Sequence, residues 1–298
     1  MGVVADLVAT EERNASTLDL DLRTSREVIE ALMREDAVAV RAAQRVADDL
    51  AMAVDRAHER TSAGGRIHYF GAGASGRLAV LDATEATPTF GTPQEFFTAH
   101  FPGGREAFMD SRIDREDAEQ LGHDDAAAVM ATDVAIGITA SGSTSYVRGA
   151  LRRAREAGAL TVLITANPAA SLAAVADVTV APDTGAEALT GSTRLKAGTA
   201  TKVVLNAFST ALMVRSGRTY SNLMVCLVAT NDKLRQRAVS VLEMATSQPR
   251  EVCVEALDRC EGDLSTTLVH LLSGRSPAES REALARGGSV RAALGMLR

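Results

Sequence analysis

The stretch Tyr69–Glu85, YFGAGASGRLAVLDATE, joins a β-rich segment to a helical one and carries three glycines, a serine, an arginine and two carboxylates. The apolar run in GGRIHYFGAG predicts a buried strand, and SGRLAVLDAT predicts a helix. The turn between them contains Gly73, Ser75, Gly76 and Arg77. Backbone amides at the start of a helix are free to bind an anion, so this turn is a candidate anion site.

Strands and helices continue to alternate after this turn. DVAIGITASG, TVLITANP and DVTVAP predict strands, whereas STSYVRGALRRAREAG and TRLKAGTATKVVLNAFSTALMVRSG predict helices. This alternation indicates an α/β fold with a doubly wound parallel sheet flanked by helices. Binding sites in such sheets lie at the carboxyl ends of the strands.

The composition predicts three parts of the chain. Residues 1–60 are expected to form a helical segment that packs on the core, with two helices between Ser25 and about Arg60 and a break near Asp36. Residues 61–235 form the predicted α/β domain. After about Asn231 the chain becomes charged and rich in leucine and alanine, with Ser or Pro starts and Gly stops, so residues 236–298 predict a small helical bundle.

Charge and composition argue against several partners. The net charge of -6 and the absence of basic runs disfavour nucleic acid, and no apolar stretch is long enough to predict a membrane span. The chain has an odd number of cysteines, Cys226, Cys253 and Cys260, and none of them forms a CxxC pair. Neither a disulfide framework nor a zinc site is therefore expected. The five histidines show no metal-binding spacing. These features predict a cytoplasmic protein without a bound metal.

Two further loops share the chemistry of the first one. ASGSTS follows a predicted strand, and TGSTRLKAG opens a predicted helix. Hydroxyl groups together with N-terminal helix amides form a cradle for phosphate, and hydroxyls also suit the ring of a sugar. The absence of GxxxxGK[ST] argues against a nucleoside triphosphate. The three loops therefore favour a sugar phosphate, with these candidate ligands in the second and third loops: Ser141, Ser143, Thr144, Ser192, Thr193, Arg194 and Lys196.

The first loop also satisfies the GxGxxG pattern of dinucleotide-binding proteins, at Gly71, Gly73 and Gly76. That pattern expects an acidic residue at the end of the next strand. QEFFTAHFPGG supplies none at its tip. The dinucleotide interpretation is therefore the weaker alternative.

Longer motifs resemble known families. GAGASGR followed by SGST resembles the sugar-isomerase (SIS) fold, which binds phosphosugars. GAGASGRLAVLDATEATPTFG, TGSTRLKAGTATKVVLN and SNLMVCLVATNDKLRQRA are together similar to the N-acetylmuramic acid 6-phosphate etherase family, as is the opening LVATEERNAST. The resemblance covers nearly the whole chain. It implies cleavage of the D-lactyl ether to N-acetylglucosamine 6-phosphate and D-lactate, without a metal, nucleotide or other cofactor.

The resemblance also implies two catalytic glutamates. Glu85 lies in LDATE, where the family reads LDASE, and Glu116 aligns with the second glutamate of a VEGAED-like segment. The reaction needs a base for the C2 proton and an acid for the departing ether oxygen. We assign Glu116 as the base and Glu85 as the acid, with the reverse assignment open. Without the resemblance, both residues would be interpreted as ordinary surface carboxylates. Glu85 lies on the same helix face as Asp82, and Glu116 lies within a charged run.

Helix geometry bears on Glu85. If the helix from Ser75 continues to Glu85, its rise separates the two residues by about 15 Å, too far for both to serve one small ligand. Either the helix ends early or Glu85 completes the site of another subunit, so we expect a homodimer with sites near its interface.

The chain departs from the family pattern at several positions. ASGSTSYV has Ser143 where the family commonly reads ASGRTPYV, TEATPTFG replaces SECPPTFG, and RIDR precedes Glu116 where the family has VEGA. The loss of an arginine leaves recognition of an anionic substrate group unexplained. Two alternative functions are an aldose-ketose phosphosugar isomerase and a non-catalytic phosphosugar-binding regulator.

Overall fold

The computed structural model describes residues 8–227 and 232–298. The chain forms two compact units, one containing the chain up to Ala83 together with Glu95–Ser209, and the other Thr84–Gln94 together with Thr210–Arg298. The three parts predicted at residues 60/61 and 235/236 stay a prediction. The change of composition at about Asn231 and the first residue of LVATEERNAST lie outside the described residues.

The first unit contains the predicted parallel sheet. Its strands are β1 Ile67–Gly71, β2 Phe97–His100, β3 Val134–Ile138, β4 Leu160–Ile164 and β5 Val178–Val180, in the order β2-β1-β3-β4-β5. Every residue of β1, β3 and β4 is buried. This burial explains why these strands are nearly continuous apolar runs, interrupted only by His68 in β1 and Thr161 in β4, as strands of a sheet covered by helices are. The doubly wound α/β class is confirmed.

Seven α-helices begin within the described residues of this unit. They are α1 Ser25–Arg45, α2 Ala47–Ser62, α3 Gly73–Phe90, α4 Gly104–Met109, α5 Glu119–Asp125, α6 Ser145–Glu156 and α7 Lys196–Arg215. The predicted break near Asp36 is wrong, because α1 continues to Arg45 and the break falls at Val46. Asp36 accepts a hydrogen bond from the Thr199 hydroxyl at 3.0 Å. This tertiary contact offsets the weak helix propensity of aspartate.

The second unit is mainly helical, as predicted. A short hairpin of β6 Thr219–Tyr220 and β7 Leu223–Met224 precedes α8 Asp232–Thr246, α9 Arg250–Arg259, α10 Leu264–Ser273, α11 Pro277–Gly287 and α12 Val290–Leu297. Ser276 and Glu279 form a capping box at α11, and Gly274 and Gly288 end α10 and α11 in left-handed conformation. The Ser and Gly signals in the sequence therefore mark real helix ends. Within the described residues, no helix is both long and apolar enough to cross a membrane.

The turn from β1 to α3 requires a very close approach of two backbone segments. A Cβ atom on Gly76 would overlap the carbonyl oxygen of Gly71 and would lie 2.7 Å from the Phe101 ring. Gly73 has a φ of +54°. Glycine at both positions lets the helix start directly against the strand end.

A polar cluster is buried across the neighbouring strands β2, β1 and β3. His68 Nδ1 lies 3.1 Å from His100 Nε2, and His68 Nε2 lies 3.5 Å from the buried carboxylate of Asp133, just before β3. Asp133 also accepts hydrogen bonds from the Arg66 and Met130 amides, both at 2.8 Å. Burial lowers the pKa of His68, and burial and the neighbouring His68 lower the pKa of His100 to about 4. Both imidazoles are therefore neutral at pH 7.

We expect Gly76→Ala to lower the free energy of unfolding by about 2 kcal/mol or more, because the new methyl group must displace backbone. Gly295→Ala is the matched control, since Gly295 is exposed within α12 and a Cβ there meets nothing within 4 Å. That change should stabilise the protein by about 0.5–1 kcal/mol. Urea unfolding of the two variants measures both effects. Equal stability of Gly76→Ala and the wild type would contradict the close packing.

The histidine pair should make the fold sensitive to mild acid. Free histidine titrates near pH 6.5, so between pH 6.5 and about 4 the unfolded chain binds protons that the folded chain does not. Folded-state stability is therefore full above pH 6.5 and falls as the pH drops through this window. In urea unfolding between pH 7.5 and 5, His100→Gln should show a shallower decline than the wild type. Identical declines would refute the role of His100.

Candidate active site

The central position of β1 and β3 creates a crevice at the carboxyl edge of the sheet. The chain leaves β1 for β2 on one side, and β3 lies on the other side of β1. Loops that follow two such strands diverge, and α/β sheets bind their ligands where this reversal of strand order occurs. The first and second predicted loops follow β1 and β3, so the structure brings them to the same edge.

The second loop is organised by its own hydroxyl groups. The hydroxyls of Thr139 and Thr144 lie 2.7 Å apart, and those of Ser141 and Ser143 lie 3.0 Å apart. Asn167, which follows β4, donates to the Ser141 carbonyl at 2.9 Å. These hydroxyls can reorient to donate to an anion next to the start of α6. Thr139 and Asn167 were missed by the sequence analysis, although Thr139 immediately precedes the ASGSTS motif.

Glu116 lies on the connection between α4 and α5. Its carbonyl accepts a hydrogen bond from the Tyr146 amide at 2.9 Å, which ties this connection to the first turn of α6. Its amide donates to Asp114 Oδ1 at 3.0 Å. Glu116 is thereby held close to the second loop by backbone contacts that do not depend on its side chain.

Glu116 and the first loop line the same cavity. This cavity of about 130 Å³ is also lined by Gly73, Arg77, Phe101 and Arg115. Partial enclosure of the carboxyl, together with the nearby Asp114 and Asp117 carboxylates, raises the pKa of Glu116. A raised pKa makes a carboxylate a better base near neutral pH.

Arg77 forms one wall of this cavity. Its guanidinium donates to the Phe108 carbonyl at 3.0 Å and lies over the rings of Phe101 and Phe108, at 5.2 and 5.7 Å from their centres. These contacts hold the side chain in a fixed position between α3 and α4. Ser75, two residues earlier, is half-buried.

The third loop is held by two carboxylates, Glu35 and Glu187. The Lys196 ammonium lies 2.6 Å from Glu35 Oε2 and donates to the Ala186 carbonyl at 2.9 Å. Fully buried Glu187 accepts hydrogen bonds from the amides of Lys196 and Ala197, at 2.8 and 3.0 Å. The charge of Lys196 and these two amides of α7 are therefore already paired.

The outer part of the third loop remains accessible. Ser192 and Thr193 are half-buried and Arg194 is exposed. Among the described residues that line the Glu116 cavity, none comes from this loop. The structure thus brings the first loop and Glu116 together, places the second loop at the adjoining strand end, and leaves the third loop outside the cavity wall.

Glu85 lies on α3, which continues without interruption to Phe90. Its side chain is exposed, and its carbonyl accepts a hydrogen bond from the Thr89 hydroxyl at 2.7 Å. The early helix end that was one of two explanations for Glu85 does not occur. Glu85 is therefore about 15 Å from Ser75 along the helix axis.

Comparisons with known proteins agree with this architecture. A profile of the glucokinase regulatory protein N-terminal SIS domain matches residues 49–155, and a profile of the SIS domain matches residues 114–211. A solved structure from Bacteroides fragilis, of a candidate phosphosugar isomerase involved in capsule formation, superposes with a TM-score of 0.51 at 23% identity over 66% of this chain and 98% of that one. At this identity the likeness shows the fold alone.

Two curated relatives are much closer in sequence. The N-acetylmuramic acid 6-phosphate etherase of Thermobifida fusca is 54% identical over 264 residues, which are 89% of this chain and 87% of the relative. The enzyme of the same name from Rubrobacter xylanophilus is 47% identical over 97% of this chain and 96% of the relative. Identity of this level over nearly the full length of both chains leaves no large region unmatched. The chain therefore belongs to the N-acetylmuramic acid 6-phosphate etherase family.

Proposed function

We propose that the chain is a carbon-oxygen lyase that cleaves the D-lactyl ether of N-acetylmuramic acid 6-phosphate, a step in the recycling of a cell-wall amino sugar. The observation that carries this proposal is the cavity that Glu116, a carboxylate with a raised pKa, lines together with the glycine loop after β1. Family membership specifies the substrate.

The first two loops hold the phosphate in this proposal. The amide of Gly73 and the hydroxyls of Ser75 and the second loop donate to its oxygens, because both loops open helices at the carboxyl edge of the sheet. The Gly76 amide already donates to the Ala72 carbonyl at 3.0 Å, so Gly76 contributes by its close packing. Arg77 shapes the wall beside it. Ser192, Thr193 and Arg194 contact the sugar, and Lys196 holds their loop in place through Glu35.

Glu116 acts as the base at C2. In the open-chain sugar the C1 aldehyde acidifies the C2 proton, which Glu116 removes to give an enolate. The electrons return to form the C2–C3 double bond as the C3–O bond breaks, and Glu85 protonates the departing lactate oxygen. Water then adds to C3 and a proton returns to C2. The products are N-acetylglucosamine 6-phosphate and D-lactate.

Glu85 reaches this chemistry from a second subunit. Its distance along α3 from the phosphate-binding turn, about 15 Å, argues against service to the ligand held by that same turn. A homodimer also accounts for the apolar stripe on α1, where Ile29, Met33 and Val40 are 51%, 66% and 38% exposed. Such stripes mark association surfaces.

The cytoplasm is the proposed location. Cys226, Cys253 and Cys260 are free thiols. Burial raises the pKa of Cys253 and of Cys260. A thiol kept protonated in this way oxidises slowly, and free buried thiols suit a reducing compartment.

Purified protein should release D-lactate from N-acetylmuramic acid 6-phosphate. Glu85→Gln and Glu116→Gln should each lower kcat by about 10²–10⁴-fold, because each removes one proton-transfer group. Both variants should still bind N-acetylglucosamine 6-phosphate in calorimetry. Glu106→Gln, an exposed glutamate on α4, is the matched control and should keep wild-type activity. Binding without lactate release by the wild type would favour the isomerase or the regulator instead.

Mixing the two inactive variants tests the shared site. If each site combines Glu85 of one subunit with Glu116 of the other, a mixed dimer contains one intact site of two. Random subunit exchange should then restore about a quarter of the wild-type rate. If both glutamates of a site belong to one subunit, every site in the mixture carries a lesion and no activity returns.

A further inference from the structure

The substrate of the proposed reaction carries two anionic groups, the phosphate and the carboxylate of the lactyl group. The loops after β1 and β3 account for the phosphate. The lactyl group is joined to C3 through the ether oxygen. Its carboxylate must therefore lie close to the base that acts at C2. A carboxylate that leaves water without a partner is costly to bind, so a cation close to Glu116 is needed.

Most guanidinium groups near Glu116 are already occupied. Arg77 donates to the Phe108 carbonyl at 3.0 Å. Arg112 donates two hydrogen bonds to the Asp110 carboxylate, at 2.7 and 2.9 Å. Arg148 lies 3.4 Å from Glu119 and donates to the Ser143 carbonyl at 3.2 Å. None of these three is free to take a substrate carboxylate without losing a contact.

Arg115 is different. Across residues 8–227 and 232–298, its guanidinium makes neither a hydrogen bond nor an ion pair, although Asp114 and Glu116 are its neighbours in sequence. Arg115 is exposed and lines the same cavity as Gly73, Arg77 and Glu116. A free cation in the wall of this cavity, one residue from the proposed base, is placed to receive an anion.

The backbone around Arg115 is well fixed. The Arg115 carbonyl accepts a hydrogen bond from the Ala118 amide at 3.1 Å, and Asp114 accepts one from the Glu116 amide at 3.0 Å. The Arg115 stem passes close to Gly103, where a Cβ atom would lie 3.6 Å from Arg115 Cγ. Only the end of the side chain therefore needs to become ordered when the ligand binds, which limits the entropy cost.

We propose that Arg115 binds the carboxylate of the lactyl group and makes the enzyme selective for an anionic leaving group; this inference rests on the proposed function. A guanidinium can hold a carboxylate through two parallel hydrogen bonds. Holding the carboxylate in this way orients the C3–O bond relative to Glu116. It also excludes 3-O-substituted sugars whose leaving group is uncharged.

The test compares N-acetylmuramic acid 6-phosphate with its lactyl amide, in which an uncharged carboxamide replaces the carboxylate. Formation of N-acetylglucosamine 6-phosphate is measured for both compounds. The wild type should prefer the acid in kcat/KM, and Arg115→Ala should lower kcat/KM for the acid by about 10–100-fold while leaving the amide nearly unchanged. Arg115→Lys should lie between them, because it keeps the charge and loses the paired hydrogen bonds.

Arg112→Ala is the matched control, since Arg112 is exposed on the same segment and paired with Asp110; it should keep the wild-type preference. Thermal unfolding of all variants verifies that the fold is intact. An equal loss on both compounds, or no loss in Arg115→Ala, would overturn the role of Arg115 while leaving the etherase function standing. Failure of the wild type to turn over the acid would instead overturn the proposed function itself.

Discussion

The contact between the start of α3 and the end of β1 governs the geometry of the site. Gly76 packs so closely on the Gly71 carbonyl that any side chain at position 76 would overlap it, and the same position faces the Phe101 ring. Because Phe101 supports Arg77, the glycine contact also sets the cavity wall opposite Glu116. The proposed phosphate-binding turn and the position of Arg77 thus depend on one backbone-to-backbone contact.

Glu116 is held by contacts of a different kind. It lies on an irregular connection, where a glutamate would usually be mobile, but the Tyr146 amide binds its carbonyl and so joins it to α6. The same helix begins at the hydroxyl-rich second loop. The start of α6 therefore positions both the second loop, which is proposed to bind the phosphate, and Glu116, the proposed base. This arrangement keeps the separation of the two constant. Partial burial of the Glu116 carboxyl, together with the nearby Asp114 and Asp117 carboxylates, then raises its pKa.

The third loop shows how similar motifs can take different roles. In sequence it carries hydroxyl residues, as the other two loops do, and it has more cations than either, namely Arg194 and Lys196. In the structure Glu187 accepts hydrogen bonds from the first amides of α7, and Glu35 forms an ion pair with Lys196. Each of these carboxylates takes the place that an anionic ligand would otherwise occupy. The base of the loop is consequently fixed, and only its outer residues Ser192, Thr193 and Arg194 remain as proposed ligand-binding residues.

The sequence by itself determined the features that depend on local pattern. Continuous apolar runs defined the buried strands, glycine and hydroxyl motifs marked the turns after β1 and β3, and Ser and Gly residues marked the ends of α10 and α11. Tertiary structure alone decided the pairings between distant residues. Lys196 with Glu35, His68 with His100, and Asp36 with Thr199 are separated by 161, 32 and 163 positions. Local propensity carries no information on such pairs, because their energy comes from burial and hydrogen bonding that exist only once the sheet and its helices have assembled.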